Sequence, residues 1–96
     1  MLEISLPIIV EGKYDRERVL SVAKATVITT DGFGIFKKDE KAALIRRLAA
    51  AGGVIVLTDS DGAGLVIRNY IHGFLPRDKI FDSYTPEVRG QEKRKA

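Results

Sequence analysis

Val54-Ile55-Val56-Leu57-Thr58-Asp59-Ser60-Asp61-Gly62-Ala63-Gly64 is the stretch that decides the fold of this chain. Its four leading apolar residues do not alternate with polar ones, so they read as a strand covered on both faces, the central strand of a sheet. The run then stops abruptly at acids and glycines. Upstream, Asp39 is positioned to cap a helix through Leu44, Ile45 and Leu48, with Arg46 and Arg47 on its wet side. Ala49-Ala50-Ala51 extends that helix and Gly52-Gly53 closes it. Downstream, a third helix is predicted from Leu65 to His72, carrying Val66, Ile67, Tyr70 and Ile71 and ending at Gly73 and Pro76.

The same grammar holds toward the N-terminus. Leu6-Pro7-Ile8-Ile9-Val10 is a short apolar strand that breaks at Glu11-Gly12-Lys13, and Asp15 is expected to cap a helix bearing Val19, Leu20, Val22 and Ala23. Ala25 to Thr29 is a second strand, followed by a loop at Thr30-Asp31-Gly32-Phe33-Gly34, and Lys79-Ile80-Phe81-Asp82 is a fourth, edge strand. Strands alternating with helices predict an α/β fold: a single domain with a compact, mainly parallel four-stranded sheet and helices on both faces. The domain is expected over residues 1–84, and residues 85–96 as a basic, flexible C-terminal tail. Right-handed crossovers put every strand-to-helix loop at one edge of the sheet, where open sheets bind their ligands.

Composition narrows the function classes. The chain has 96 residues, 45% of them apolar and 30% charged, which suits one folded domain and not a disordered segment. No apolar stretch approaches the ~18 residues that a membrane span needs, and no basic-then-apolar secretion signal opens the chain, so a cytoplasmic protein without membrane contact is expected. The absence of cysteine excludes a disulfide scaffold, a thiolate zinc site and a cysteine nucleophile. Arg89, Lys93, Arg94 and Lys95 against Glu92 account for the whole net charge of +3. A basic tail on a neutral body suits contact with a phosphate backbone, or is simply a solvated terminus.

Three acids fall where the fold rule expects a ligand. Glu11 follows the first strand, and Asp59 and Asp61 follow the central one. Residues two apart in an extended segment share a face, so Asp59 and Asp61 can share one cation. Oxygen donors without His or Cys select a hard ion, Mg²⁺ with Mn²⁺ as a substitute. Gly62 and Gly64 let backbone approach a ligand, and the helix start beyond them points amides at an anion. Taken alone, the Asp59–Asp61 pair is equally well explained by helix capping and turn chemistry. A glutamate directly after a buried strand is not, because caps prefer shorter side chains. Lys13 can hold a phosphate or pair with Asp15. Arg68 can reach a phosphate or line a solvated helix face. Asp31 can border the site or serve a turn, and Phe33 and Phe36 can stack on bases or pack as a lid. His72 suits a helix end.

At these residues the sequence resembles the Toprim domain of topoisomerases, bacterial primases and some nucleases. The matching pieces are Ile9-Val10-Glu11-Gly12-Lys13-Tyr14-Asp15, Thr29-Thr30-Asp31-Gly32 and Leu57-Thr58-Asp59-Ser60-Asp61-Gly62-Ala63-Gly64, which in order span most of the chain up to Asp82. The Glu-Gly-Lys-x-Asp segment, and the Asp-x-Asp-x-Ala-Gly segment with Ile67-Arg68 behind it, are most similar to ribosomal-RNA maturation nucleases and primases. The resemblance implies that Glu11 is the general acid or base, that Asp59 and Asp61, with Glu11 beside them, hold Mg²⁺, and that Gly12 and Gly32 shape the pocket. Lys13, Gly62 and Arg68 are the remaining expected substrate-binding positions. Ala63 and Gly64 stand where topoisomerases carry a further acid, and no tyrosine-bearing cleavage domain is present in this sequence, which argues against topoisomerase activity.

The expected function is Mg²⁺-dependent phosphodiester chemistry on nucleic acid, an endonuclease acting on structured RNA ahead of DNA. The alternative is a non-catalytic Toprim binding module that works with a partner protein or a ribosomal particle. A receiver-like phosphotransfer domain is a third class. Its acidic pair would follow strand one, where this chain offers Glu11 alone.

Overall fold

The computed structural model describes residues 1–30, 39–59 and 62–84. In chain order the elements are β1 (Leu2–Glu3), β2 (Ile8–Val10), α1 (Lys13–Leu20), β3 (Ala23–Lys24), β4 (Val27–Thr29), α2 (Asp39–Gly52), β5 (Val54–Thr58), α3 (Gly62–Phe74), a 3-10 turn (Arg77–Lys79) and β6 (Ile80–Tyr84). The main sheet is four-stranded in the order β4-β2-β5-β6, and every pairing in it is parallel. The expected α/β architecture with a four-stranded parallel sheet is therefore what the chain adopts.

The strands form where the apolar runs lie. All three residues of β2 are buried, as expected for an inner strand covered on both faces. In β5, Val54, Val56 and Thr58 are buried while Ile55 and Leu57 are half-buried, so the two faces are covered unequally. The deeper face carries the core: Ile9, Ile28, Val54, Val56 and Ile80 from the sheet meet Ile45 and Ala49 of α2 and Ile67 and Ile71 of α3. Right-handed crossovers require this arrangement. The connection from β2 to β4 runs one way along the sheet and those from β4 to β5 and from β5 to β6 run the other, which places α1 on the face opposite α2 and α3. Burial at about 25 cal/mol per Å² of apolar surface makes this packing the main source of stability.

Several local details depart from the sequence reading. α1 is capped by Gly12, in extended conformation, and Asp15 sits inside the first turn, its carboxylate accepting a hydrogen bond from the Gly12 amide at 3.2 Å. Val22 and Ala23 lie beyond α1, and Ala23 enters β3. The short parallel pair β1–β3 is additional, with Leu2 opposite Ala23 and Glu3 opposite Lys24. Pro7 separates β1 from β2 because it has no amide to donate, although its carbonyl accepts from Ile55 at 2.9 Å. In α2 the inward residues are Ala42, Ile45 and Ala49, while Leu44 faces solvent. Asp39 is its first helical residue. Gly53 closes α2 at φ 107°, donating to Ala49 O at 2.7 Å. α3 starts earlier than predicted, at Gly62, and runs through Gly73 to Phe74. Among the described residues, no helix is long and apolar enough to cross a membrane.

Candidate active site

Order in the sheet fixes where a ligand should bind. β2 and β5 are neighbours, and the chain leaves β2 toward β4 but leaves β5 toward β6. The carboxyl ends of these two strands are thus the topological switch point, where the outgoing connections diverge and open a crevice. Glu11 directly follows β2 and Asp59 directly follows β5. The pairing of Ile8 with Ile55 and Ile9 with Val56, carried two residues further, sets Glu11 beside Thr58 and next to Asp59.

The backbone at Glu11 is held by its neighbours. The amide of Thr30 donates to Val10 O at 3.0 Å, and the buried Thr30 hydroxyl donates to Glu11 O at 3.3 Å. Behind Asp59, the first turn of α3 is seated directly on the Asp59 backbone. A Cβ on Gly64 would lie 2.7 Å from Asp59 O and 2.9 Å from Asp59 N, so only glycine permits this approach. Gly62, at φ 58°, turns the chain into α3 and is exposed. Gly12 and Lys13 are at the start of α1, with Lys13 exposed.

The acids lie close enough to act on one another. The Glu11 carboxyl is held above its ordinary pKa of 4.5 by burial first, then by the negative charges of Asp15 and Asp59. Asp15 thus joins the site electrostatically as well as binding the Gly12 amide. Among the described residues, no three carboxylate or imidazole groups converge closely enough to hold a metal ion together. The two acids at the switch point are hard oxygen donors whose repulsion a divalent cation would relieve, a donor set that fits Mg²⁺ or Mn²⁺. Asp61, Gly32, Asp31, Phe33, Phe36 and the tail 85–96 lie outside the described residues.

Arg68 is placed differently from a solvent-facing helix residue. It is 3% exposed and its guanidinium lies against the carboxyl ends of β5 and β6. It donates to Val56 O, Thr58 O, Thr58 Oγ1 and Ser83 O, and to the Asp82 carboxylate at 2.6 Å. The Tyr84 ring is stacked 3.8 Å from its central carbon. His72 contacts Asp82 at 2.9 Å. Partial burial pushes the Asp82 pKa up, but the hydrogen bonds and charges of Arg68 and His72 outweigh it and hold the carboxyl below its usual value. The sequence reading passed over Lys41, half-buried in the first turn of α2, whose ammonium donates to Thr29 O at 2.7 Å. Its position one helical turn after a strand-to-helix loop was the available signal.

No protein-family model matches the chain. Curated relatives do. The chain is 39% identical over 85 residues to Ribonuclease M5 of Borreliella burgdorferi, covering 88% of this chain and 46% of that protein. It is 39% identical over 85 residues to Ribonuclease M5 of Lactiplantibacillus plantarum, covering 80% and 44% respectively. To Ribonuclease M5 of Clostridium botulinum it is 47% identical over 64 residues, covering 67% and 34%. The chain thus spans less than half the length of each of these relatives.

Proposed function

The chain carries a Toprim domain similar to part of Ribonuclease M5, and from that premise we propose that it is the catalytic module of a cytoplasmic, Mg²⁺-dependent endonuclease acting on structured RNA. The observation that carries this reading is the juxtaposition of Glu11 and Asp59 at the switch point of the sheet, where burial first, then the charges of Asp15 and Asp59, raise the pKa of Glu11. Hydrolysis forms a bond from phosphorus to a water oxygen and breaks the bond to a ribose oxygen. The water loses a proton and the leaving oxygen gains one. Glu11, whose carboxyl is held above its ordinary pKa at the edge of the site, is suited to carry that proton. Asp59, with Asp61, would hold the ion, and a bound Mg²⁺ would supply charge stabilisation at the phosphate. Gly12, Gly32 and Gly62 would let backbone approach the substrate, and Lys13, exposed at the start of α1, would offer it a cation. The basic tail adds sequence-independent affinity that weakens with salt.

A second reading is a non-catalytic RNA-binding module completed by a partner protein or ribosomal particle. Incubating the protein with structured ribosomal-RNA precursors, in Mg²⁺ or in EDTA, separates the two. Mg²⁺-dependent cleavage lost in Glu11→Gln supports the nuclease. Salt-sensitive binding with no cleavage supports the binding module.

A further inference from the structure

We propose that Arg68 is a positioning residue that holds the Asp59 backbone in place through Thr58, an inference that rests on the metal-site reading above. The starting point is where Arg68 sits in α3. Gly64, Ile67, Arg68 and Ile71 are the buried residues of that helix, so the arginine lies in the middle of the stripe that packs on the sheet. Burying a guanidinium costs several kcal/mol, and a well-packed apolar side chain in such a place is commonly as stable or more so. Packing alone therefore does not account for an arginine. What an apolar residue cannot do is bind several acceptors at once.

Those acceptors are specific. Nη1 reaches Val56 O at 3.2 Å and Nη2 reaches Thr58 O at 3.1 Å, so the last two inward-facing residues of β5 are both tied to it. Nη2 also donates to Ser83 O at 2.6 Å, which joins the end of β6 to the end of β5. The decisive contact is with Thr58 Oγ1 at 2.8 Å. A hydroxyl has a single proton, so accepting from Arg68 directs the Thr58 proton toward a carbonyl. Two are in reach: Asp59 O at 3.1 Å and Gly64 O at 3.2 Å. A relay of hydrogen bonds thus runs from the guanidinium through Thr58 to the backbone of Asp59 or to Gly64 in the helix turn seated on it.

The outer side of the guanidinium is fixed as well. Asp82 accepts from Nη1, Tyr84 covers the face, and His72 holds the other Asp82 oxygen. Nε is buried without a partner among the described residues, so the fork is oriented by its two terminal nitrogens. This geometry needs the planar guanidinium, which a lysine ammonium cannot imitate.

The test is a Mn²⁺ titration of the full chain, followed by electron paramagnetic resonance, for wild type, Arg68→Lys, Thr58→Val and Thr58→Ser. Each protein is measured well below its own melting temperature. Groups that orient metal ligands from behind are typically worth ~10-fold or more in affinity, so Arg68→Lys and Thr58→Val should weaken binding on the order of tenfold. Thr58→Ser, which keeps the hydroxyl, should bind as wild type does. If Arg68→Lys does not fold, Thr58→Val decides, because it leaves the arginine and its other acceptors in place. A folded Thr58→Val protein that melts lower yet binds Mn²⁺ like wild type would overturn the positioning role. Failure of the wild type itself to bind Mn²⁺, with or without a short RNA, overturns the metal-site reading and this inference with it.

Discussion

Replacing Gly64 by alanine is the most informative change in stability, because its usual sign should be reversed. An alanine in place of a helical glycine ordinarily stabilises by up to about 1 kcal/mol. Gly73 provides that reference: it is exposed in α3 and an added Cβ would meet nothing within 4 Å. At Gly64 the added Cβ would sit 2.7, 2.9 and 3.2 Å from the O, N and C of Asp59. Ordinary carbon contacts begin near 3.5 Å, and all three atoms are backbone, so no side chain can rotate away. Either α3 or the Asp59 loop must retreat by most of an ångström. Overpacking of this kind costs about 1–3 kcal/mol, which outweighs the propensity gain. Gly64→Ala should therefore lose about 1–2 kcal/mol net. In a domain of this size each kcal/mol moves Tm by about 4–8 °C. Thermal melts followed by circular dichroism should show Tm falling for Gly64→Ala and holding or rising for Gly73→Ala. Equal or higher stability of Gly64→Ala would refute the close seating of α3 on Asp59.

Three other expectations follow from the same geometry. Glu11 binds its proton more tightly in the fold than in the unfolded chain, so its contribution to stability declines as pH rises from 4.5 through the raised value. Glu11→Gln should therefore melt higher than wild type at pH 7 in EDTA while losing cleavage, with melts and a cleavage assay as the readouts. Asp82 behaves oppositely: its folded pKa is depressed, so its stabilisation is present above the ordinary carboxylate range and is lost as pH falls through the depressed value. Asp82→Asn should cost about 1 kcal/mol at neutral pH and flatten the acid limb, as measured by urea unfolding at pH 7 and pH 3. Gly53→Ala should be strongly destabilising in the same unfolding assay. It combines a backbone at φ 107° with a Cβ 2.8 Å from Lys79 O, adding left-handed strain of about 1–2 kcal/mol to overpacking.

Much of the architecture was legible because burial leaves a pattern. Ile8-Ile9-Val10 and Val54-Ile55-Val56-Leu57 read as inner strands, and their ends put Glu11 and Asp59 at one edge of the sheet. β1 and β3 left no such trace: Leu2-Glu3 and Ala23-Lys24 are two residues each, too short for any period. The start of α3 was masked by Gly62-Ala63-Gly64, whose weak helix propensity reads as turn, although tertiary seating on Asp59 overrides it. For Arg68, charge suggested a wet face or a phosphate. The spacing from Gly64 through Ile67 to Ile71 held the contrary signal, because that inward stripe passes through position 68. What no single sequence supplies is the set of carbonyls waiting for it at the ends of β5 and β6.

The central claim, that Glu11 and Asp59 form a divalent-cation site serving phosphodiester cleavage, is tested most directly by a Mn²⁺ titration of wild type beside Asp59→Asn, Asp61→Asn and Glu11→Gln. The titration is repeated once with a short RNA present, since a phosphate can complete the coordination. The expected result is saturable binding that both aspartate variants weaken strongly and that Glu11→Gln, which leaves both ion-holding aspartates in place, weakens least. Undiminished binding in Asp59→Asn, or no saturable binding by wild type under either condition, would contradict the account.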